Sequence, residues 1–116
     1  QEWLKIINQY GGEIPETYGV PVEQICEGIK HGVRKVNIDT DLRLASTGAV
    51  PRFLAENPAA FDPRAYLKET TNAMKDIAAA RYEAFGTAGN ASKIKAMGLD
   101  AMTERYLSGE LDPKIN

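Results

Sequence analysis

The sequence predicts an α/β fold that is mostly helical, and three observations carry that expectation. Residues 35–39 alternate as a strand does, with Val36 and Ile38 on one face and Asn37 and Asp39 on the other. Thr40 and Asp41 follow at once with helix N-cap chemistry, ahead of Leu42 and Leu44, so strand passes to helix within about two residues. The order of helix, short loop, strand, short loop, helix is the alternation of a parallel sheet, open or closed. In such folds ligands bind where strands end and helices begin.

Each element has a local reason. Trp3, Leu4, Ile6 and Ile7 mark a first helix that ends near Tyr10-Gly11-Gly12, where paired glycines let the backbone turn. Residues 13–21 hold Pro15 and Gly19, lack periodicity and form a loop, and Pro21 suits the first turn of the next helix. There Val22, Ile25, Cys26 and Ile29 recur at helical spacing, and His31-Gly32 closes the helix. After the strand, residues 41–57 read as a helix presenting Leu42, Ala45, Ala49, Phe53 and Leu54 to one side. Pro51 is expected to kink or divide it, at a cost of about 3 kcal/mol, because its ring clashes with the preceding turn and it has no N–H to donate.

Asn57-Pro58 ends that helix, and Asp62-Pro63 opens the longest one with a capping acid and a proline at the first helical position. Its expected buried stripe is Leu67, Thr71, Met74, Ala78 and Phe85 with Ile77 beside them, and Gly86 stops it. Residues 87–95 form a polar loop, and residues 99–107 a last short helix before Gly109. There is no internal repeat or low-complexity segment.

One strand cannot make a sheet, since its backbone groups need flanking strands. The chain also begins at Gln1 within a helical pattern, without an initiator Met or targeting segment, and reads as a fragment of a larger enzyme. Its composition, 43% hydrophobic and 26% charged with net charge −2, fits a soluble cytoplasmic protein. No apolar run approaches the roughly 20 residues that span a bilayer, and no Lys/Arg cluster suggests a nucleic-acid surface. The single Cys26 lies among apolar helix positions and reads as a structural thiol in a reducing compartment.

The candidate site is the strand's far end. Asn37 and Asp39 share a face there, and Thr40 adds a hydroxyl and a backbone N–H at a helix start. Two readings stand side by side. An amide and a carboxylate can hydrogen-bond sugar hydroxyls while a helix N-terminus attracts phosphate, which suits a phosphorylated polyol. Alternatively, Asp39, Thr40 and Asp41 only cap the helix and Asn37 bonds a neighbouring strand.

Three segments resemble the class II fructose-bisphosphate aldolases, of the subtype associated with the Calvin cycle. They are Gly11-Gly12-Glu13-Ile14-Pro15-Glu16-Thr17-Tyr18-Gly19-Val20-Pro21, Gly28-Ile29-Lys30-His31-Gly32-Val33-Arg34-Lys35-Val36-Asn37-Ile38-Asp39-Thr40-Asp41, and Phe61-Asp62-Pro63-Arg64 with Arg81-Tyr82-Glu83-Ala84-Phe85-Gly86. The resemblance covers nearly the whole chain and places it as the C-terminal third of such an enzyme. It implies that residues 1–116 are the C-terminal portion of a TIM (β/α)8 barrel, with 35–39 the last of eight strands and 62–116 a helical extension.

The resemblance further implies that Asn37, Ile38, Asp39 and Thr40 bind the triose-phosphate half of a bisphosphorylated sugar, with Asn37 steadying an enediolate. Arg64 of the Asp-Pro-Arg motif would reach the other phosphate across a subunit boundary in a homo-oligomer, a task that suits a guanidinium fork. Read without the family, Arg64 is an exposed residue at a helix start. The implied zinc polarises the substrate ketone, and its histidine ligands and the catalytic carboxylate would precede Gln1. His31, without a second ligand at metal spacing, reads as a C-cap. Pro51 departs from the family, where a basic residue is usual. Tyr10, Tyr18 and Tyr82 read as packing residues rather than catalytic phenols. A tagatose-bisphosphate aldolase of the same family and a non-catalytic module docking through residues 62–86 are the alternatives.

Overall fold

The computed structural model describes residues 2–17 and 19–113. Among the described residues five α-helices follow in order: α1 (Glu2–Gln9), α2 (Val22–Lys30), α3 (Thr40–Glu56), α4 (Pro63–Ala84) and α5 (Leu99–Leu107), with one 3-10 turn at Ala91–Lys93 inside the 87–95 loop. Among the described residues there is no strand. The expected strand at 35–39 keeps its alternation, since Val36 and Ile38 are half-buried while Lys35, Asn37 and Asp39 are exposed. What it lacks is a ladder: a strand is completed by a neighbour, and no described residue pairs with it.

Glycine sets the helix ends as the sequence predicts. After α1 the chain turns at Gly11, whose φ is 92°, and the Gly12 N–H donates to the Ile7 carbonyl over 2.9 Å. After α2, Gly32 has φ 107° and the Val33 N–H reaches back to Gly28 over 3.0 Å. Both are Schellman closures, which require a left-handed residue just past the helix. At the other end of the fold, Asp62 caps α4 by accepting from the Arg64 N–H at 2.9 Å, with Pro63 at the first helical position.

The centre is a helical hairpin. Helices α3 and α4 lie against each other, joined by a short turn in which the Ala60 N–H donates to Asn57. Their contact is built from small residues: Ala45 and Ala49 of α3 and Ala73 of α4 are buried, with Trp3 and Ile77 packed on them. Helix α1 crosses α3 at Gly48, where a β-carbon would stand 2.9 Å from the Trp3 ring and 3.2 Å from Ile7. That approach requires glycine. Ile7 is buried in the crossing, and the Arg52 guanidinium sits over the Trp3 ring, 4.7 Å from its centroid.

Three expectations are corrected here. Helix α3 is not divided: it runs unbroken through Pro51, which stands one turn beyond Thr47, an exposed residue whose carbonyl can turn to water. Its buried face includes Leu44 and Gly48 besides Ala45 and Ala49, while Leu54 is exposed. In α4 the stripe is rotated, because the closest approach to α3 selects the small Ala73; Tyr66, Thr70 and Ile77 are half-buried, and Leu67 and Thr71 are exposed. Met74, Ala78 and Phe85 are half-buried as expected.

The remaining helices are loosely held. Among the described residues helix α2 meets only the end of α4, where the Cys26 thiol donates to the Ala84 carbonyl at 3.3 Å, a packing role for that cysteine. Helix α5 packs against no other helix among the described residues, and it exposes Leu99, Tyr106 and Leu107. The radius of gyration is 19.8 Å and the molecule extends 60 Å along its longest axis. A compact domain of this length would have a radius of about 13 Å.

An open helical assembly with a small alanine core is not a cooperative folding unit on its own. The isolated 116-residue chain is therefore expected to melt broadly and to bind a hydrophobic dye at room temperature. Calorimetry and dye fluorescence check this, and a sharp two-state transition from a monomer would contradict it.

Candidate functional site

Residues 33–39 leave the Schellman turn of α2 and enter α3 without joining either helix. Val36 and Ile38 face an apolar cavity of about 470 Å³, closed on its other side by Leu42, Ala78 and Phe85. A second cavity, of about 530 Å³, is lined by Asn37, Ile38, Asp39 and Thr40 together with Lys35 and Arg81. The two cavities share Val36, Ile38 and Arg81, while Asn37 and Asp39 line the second alone.

Inside the second cavity the polar groups are partly committed. The Asn37 side-chain carbonyl accepts from the Lys35 ammonium at 2.9 Å, which leaves its amide N–H groups as donors. The Asp39 carboxylate accepts from the Arg43 guanidinium at 2.7 Å. Asp39, rather than Thr40 or Asp41, is the N-cap residue of α3, and its side chain makes no capping bond because Arg43 holds it. Among the described residues no side chain satisfies the N–H groups of Thr40, Asp41 and Leu42. A helix start of this kind has donors and a positive dipole end to offer an anion.

Arg64 is not part of this cavity. It lies in the first turn of α4, nine-tenths exposed, and doubles back onto its own cap, with Nη2 2.6 Å from Asp62 Oδ2. The pairing, first through the side chain and then through the Arg64 backbone N–H, holds the Asp62 carboxyl below its ordinary value. Arg81, which does line the cavity, lies about 25 Å further along the helix at the usual axial rise. So Asn37, Ile38, Asp39 and Thr40 are gathered at one place, and Arg64 stands far from them in the same chain.

His31 caps α2, and its ring Nε2 lies 3.1 Å from Glu27, whose other oxygen accepts from Lys30 at 2.8 Å. Lys30 first, then His31, lower the Glu27 carboxyl. Among the described residues no three His, Cys, Asp or Glu side chains are placed to hold a metal ion, so these residues do not fit a zinc site. Tyr10 and Tyr82 are exposed rather than packed in a core, Tyr82 bordering the apolar cavity; Tyr18 lies outside the described residues.

Sequence reasoning overlooked one contact. Arg81 Nη2 donates to Asp41 Oδ2 at 2.6 Å, tying the last turn of α4 to the first turn of α3. Forty positions separate the two residues, and no local pattern announces such a pair.

Comparison with known proteins places these features in a family. The sequence profile described as "Fructose-bisphosphate aldolase class-II" matches residues 16–90. Over its whole length the chain is 76% identical to the fructose-bisphosphate aldolase of Stutzerimonas stutzeri and 73% identical to that of Pseudomonas aeruginosa, and it spans 33% of each. It is 59% identical to fructose-bisphosphate aldolase 2 of Rhodobacter capsulatus, over 96% of this chain and 97% of that sequence. The chain thus spans about a third of the length of the first two relatives, as expected of a portion of a barrel enzyme. On the profile match and these identities together, the chain belongs to the class II fructose-bisphosphate aldolase family.

Proposed function

We propose that this chain is the substrate-gripping C-terminal portion of a lyase that reversibly cleaves fructose 1,6-bisphosphate into dihydroxyacetone phosphate and glyceraldehyde 3-phosphate. Its relatives are named for that substrate, and the observation that carries the reading is the clustering of Asn37, Ile38, Asp39 and Thr40 around one cavity at the uncapped start of α3. The free N–H groups there suit the phosphate of the triose half, and Asn37 and Asp39 suit its oxygens.

The Asn37 amide donates to the oxygen on which negative charge grows as the enediolate forms. That contact strengthens as the reaction proceeds and so lowers the barrier more than it aids binding. Family membership implies zinc, and on this reading its ligands belong to parts of the enzyme outside this chain, so the chain alone is inactive. Among the described residues no helix is long and apolar enough to cross a membrane. We place the enzyme in the cytoplasm, serving glycolysis and carbon fixation, on its family membership.

Arg64 serves the second phosphate. Its distance from the cavity of its own chain supports a role at the site of a neighbouring subunit in a homo-oligomer, where it trades Asp62 for the phosphate. The exposure of the pair makes that exchange inexpensive.

In the complete enzyme, Asn37→Ala is expected to lower kcat on the order of 100-fold, as removal of one oxyanion donor does, with a much smaller change in KM. Steady-state kinetics check this, and an unchanged kcat would reduce Asn37 to a structural part. Arg64→Ala should impair use of fructose 1,6-bisphosphate far more than use of fructose 1-phosphate, narrowing the preference by roughly 10- to 150-fold for one lost charged hydrogen bond. Equal loss on both substrates would assign Arg64 to the fold or the subunit contact.

A further inference from the structure

The Arg81–Asp41 pair is the least exposed ion pair among the described residues, with side chains 20% and 31% exposed. It lies beside the cavity that holds Asn37 and Thr40, and both of its members line that cavity. Asp41 sits in the first turn of α3, next to the backbone N–H groups that no side chain caps. A carboxylate in that turn is favourable to the helix alone but repels a phosphate dianion approaching the same N–H groups. The Arg81 guanidinium, 2.6 Å away, cancels that repulsion. It also fixes the turn against α4, so that the donors face the cavity from a held position.

We propose that Arg81 is a positioning residue for the phosphate end of the substrate, acting through Asp41: it neutralises the carboxylate at the start of α3 and holds that turn at the cavity's edge. The proposal rests on the reading of residues 37–40 as the triose-phosphate site. Charge, more than shape, is the lever, since a bare Asp41 left in the turn opposes the ligand directly.

The test uses the complete enzyme, with dihydroxyacetone phosphate as the probe, titrated calorimetrically at fixed ionic strength and paired with steady-state kinetics. Arg81→Gln is expected to weaken probe binding and raise KM on the order of tenfold, the size of a charge effect at a helix start, with kcat changed far less. Adding Asp41→Asn to that variant removes the uncompensated charge and should restore most of the affinity, which a purely structural loss would not allow. Arg81→Lys keeps the charge and should bind nearly as the unsubstituted enzyme does.

Binding by Arg81→Gln as tight as that of the unsubstituted enzyme overturns the inference, and so does a double variant as weak as Arg81→Gln alone. Should Arg81→Gln not fold, the double variant and Arg81→Lys decide: tight binding by both supports the proposal, and a tenfold loss in either overturns it. Failure of the underlying site looks different, because alanine at Asp39 and Thr40 then leaves probe binding unchanged, and the inference falls with it.

Discussion

Residues 33–39 join the C-cap of α2 to the first turn of α3 without entering either helix, and their peptide groups have to find hydrogen bonds elsewhere. Among the described residues the N–H groups of residues 34–39 donate to nothing. One side of this segment, Val36 and Ile38, already rests over the apolar cavity facing α4. The other side, Asn37 and Asp39, carries the polar groups of the candidate site and stands exposed. A segment with one satisfied face and an unpaired backbone is what the last strand of a barrel becomes when its neighbouring strands are not beside it, and the open shape of the molecule follows from the same cause.

The helical hairpin is what holds the segment where it is. Alanine and glycine at the α1–α3–α4 contacts let the backbones approach closely, so a small apolar area still gives a defined geometry. At its open end the hairpin is closed by the Arg81–Asp41 pair, which sits at the entrance to α3 where the candidate site begins. Packing and chemistry therefore meet at one turn of helix. The length of α4 then separates Arg81, at the cavity, from Arg64, which stands exposed at the helix's other end.

Local signals made most of the framework legible in the sequence. Gly11, Gly32, Gly86 and Gly109 mark helix ends because left-handed backbone is readily adopted only by glycine, and Asp62-Pro63 marks a helix start for equally local reasons. The alternation at Val36, Asn37, Ile38 and Asp39 was readable too, although its strand character depends on partners no local pattern supplies. Illegible were features decided by packing. Ala73 rather than Leu67 faces α3, and Gly48 rather than Leu42 marks the tightest crossing, because close approach favours small side chains over apolar ones. Asp41 and Arg81 meet only in three dimensions. Spacing singled out Asn37 together with Asp39 but not what it does, and nothing local distinguishes Arg64 from a surface residue, so the roles proposed for both rest on family likeness.

On this view residues 35–39 form a strand only in the company of the rest of the barrel. Amide hydrogen exchange, followed by mass spectrometry on the complete enzyme and on the isolated 116-residue chain, tests it most directly. Slow exchange of the 35–39 amides is expected in the complete enzyme and exchange at nearly the unprotected rate in the isolated chain, with α3 intermediate between them. Equal protection of 35–39 in both proteins would contradict it, because a ladder would then exist without the neighbouring strands.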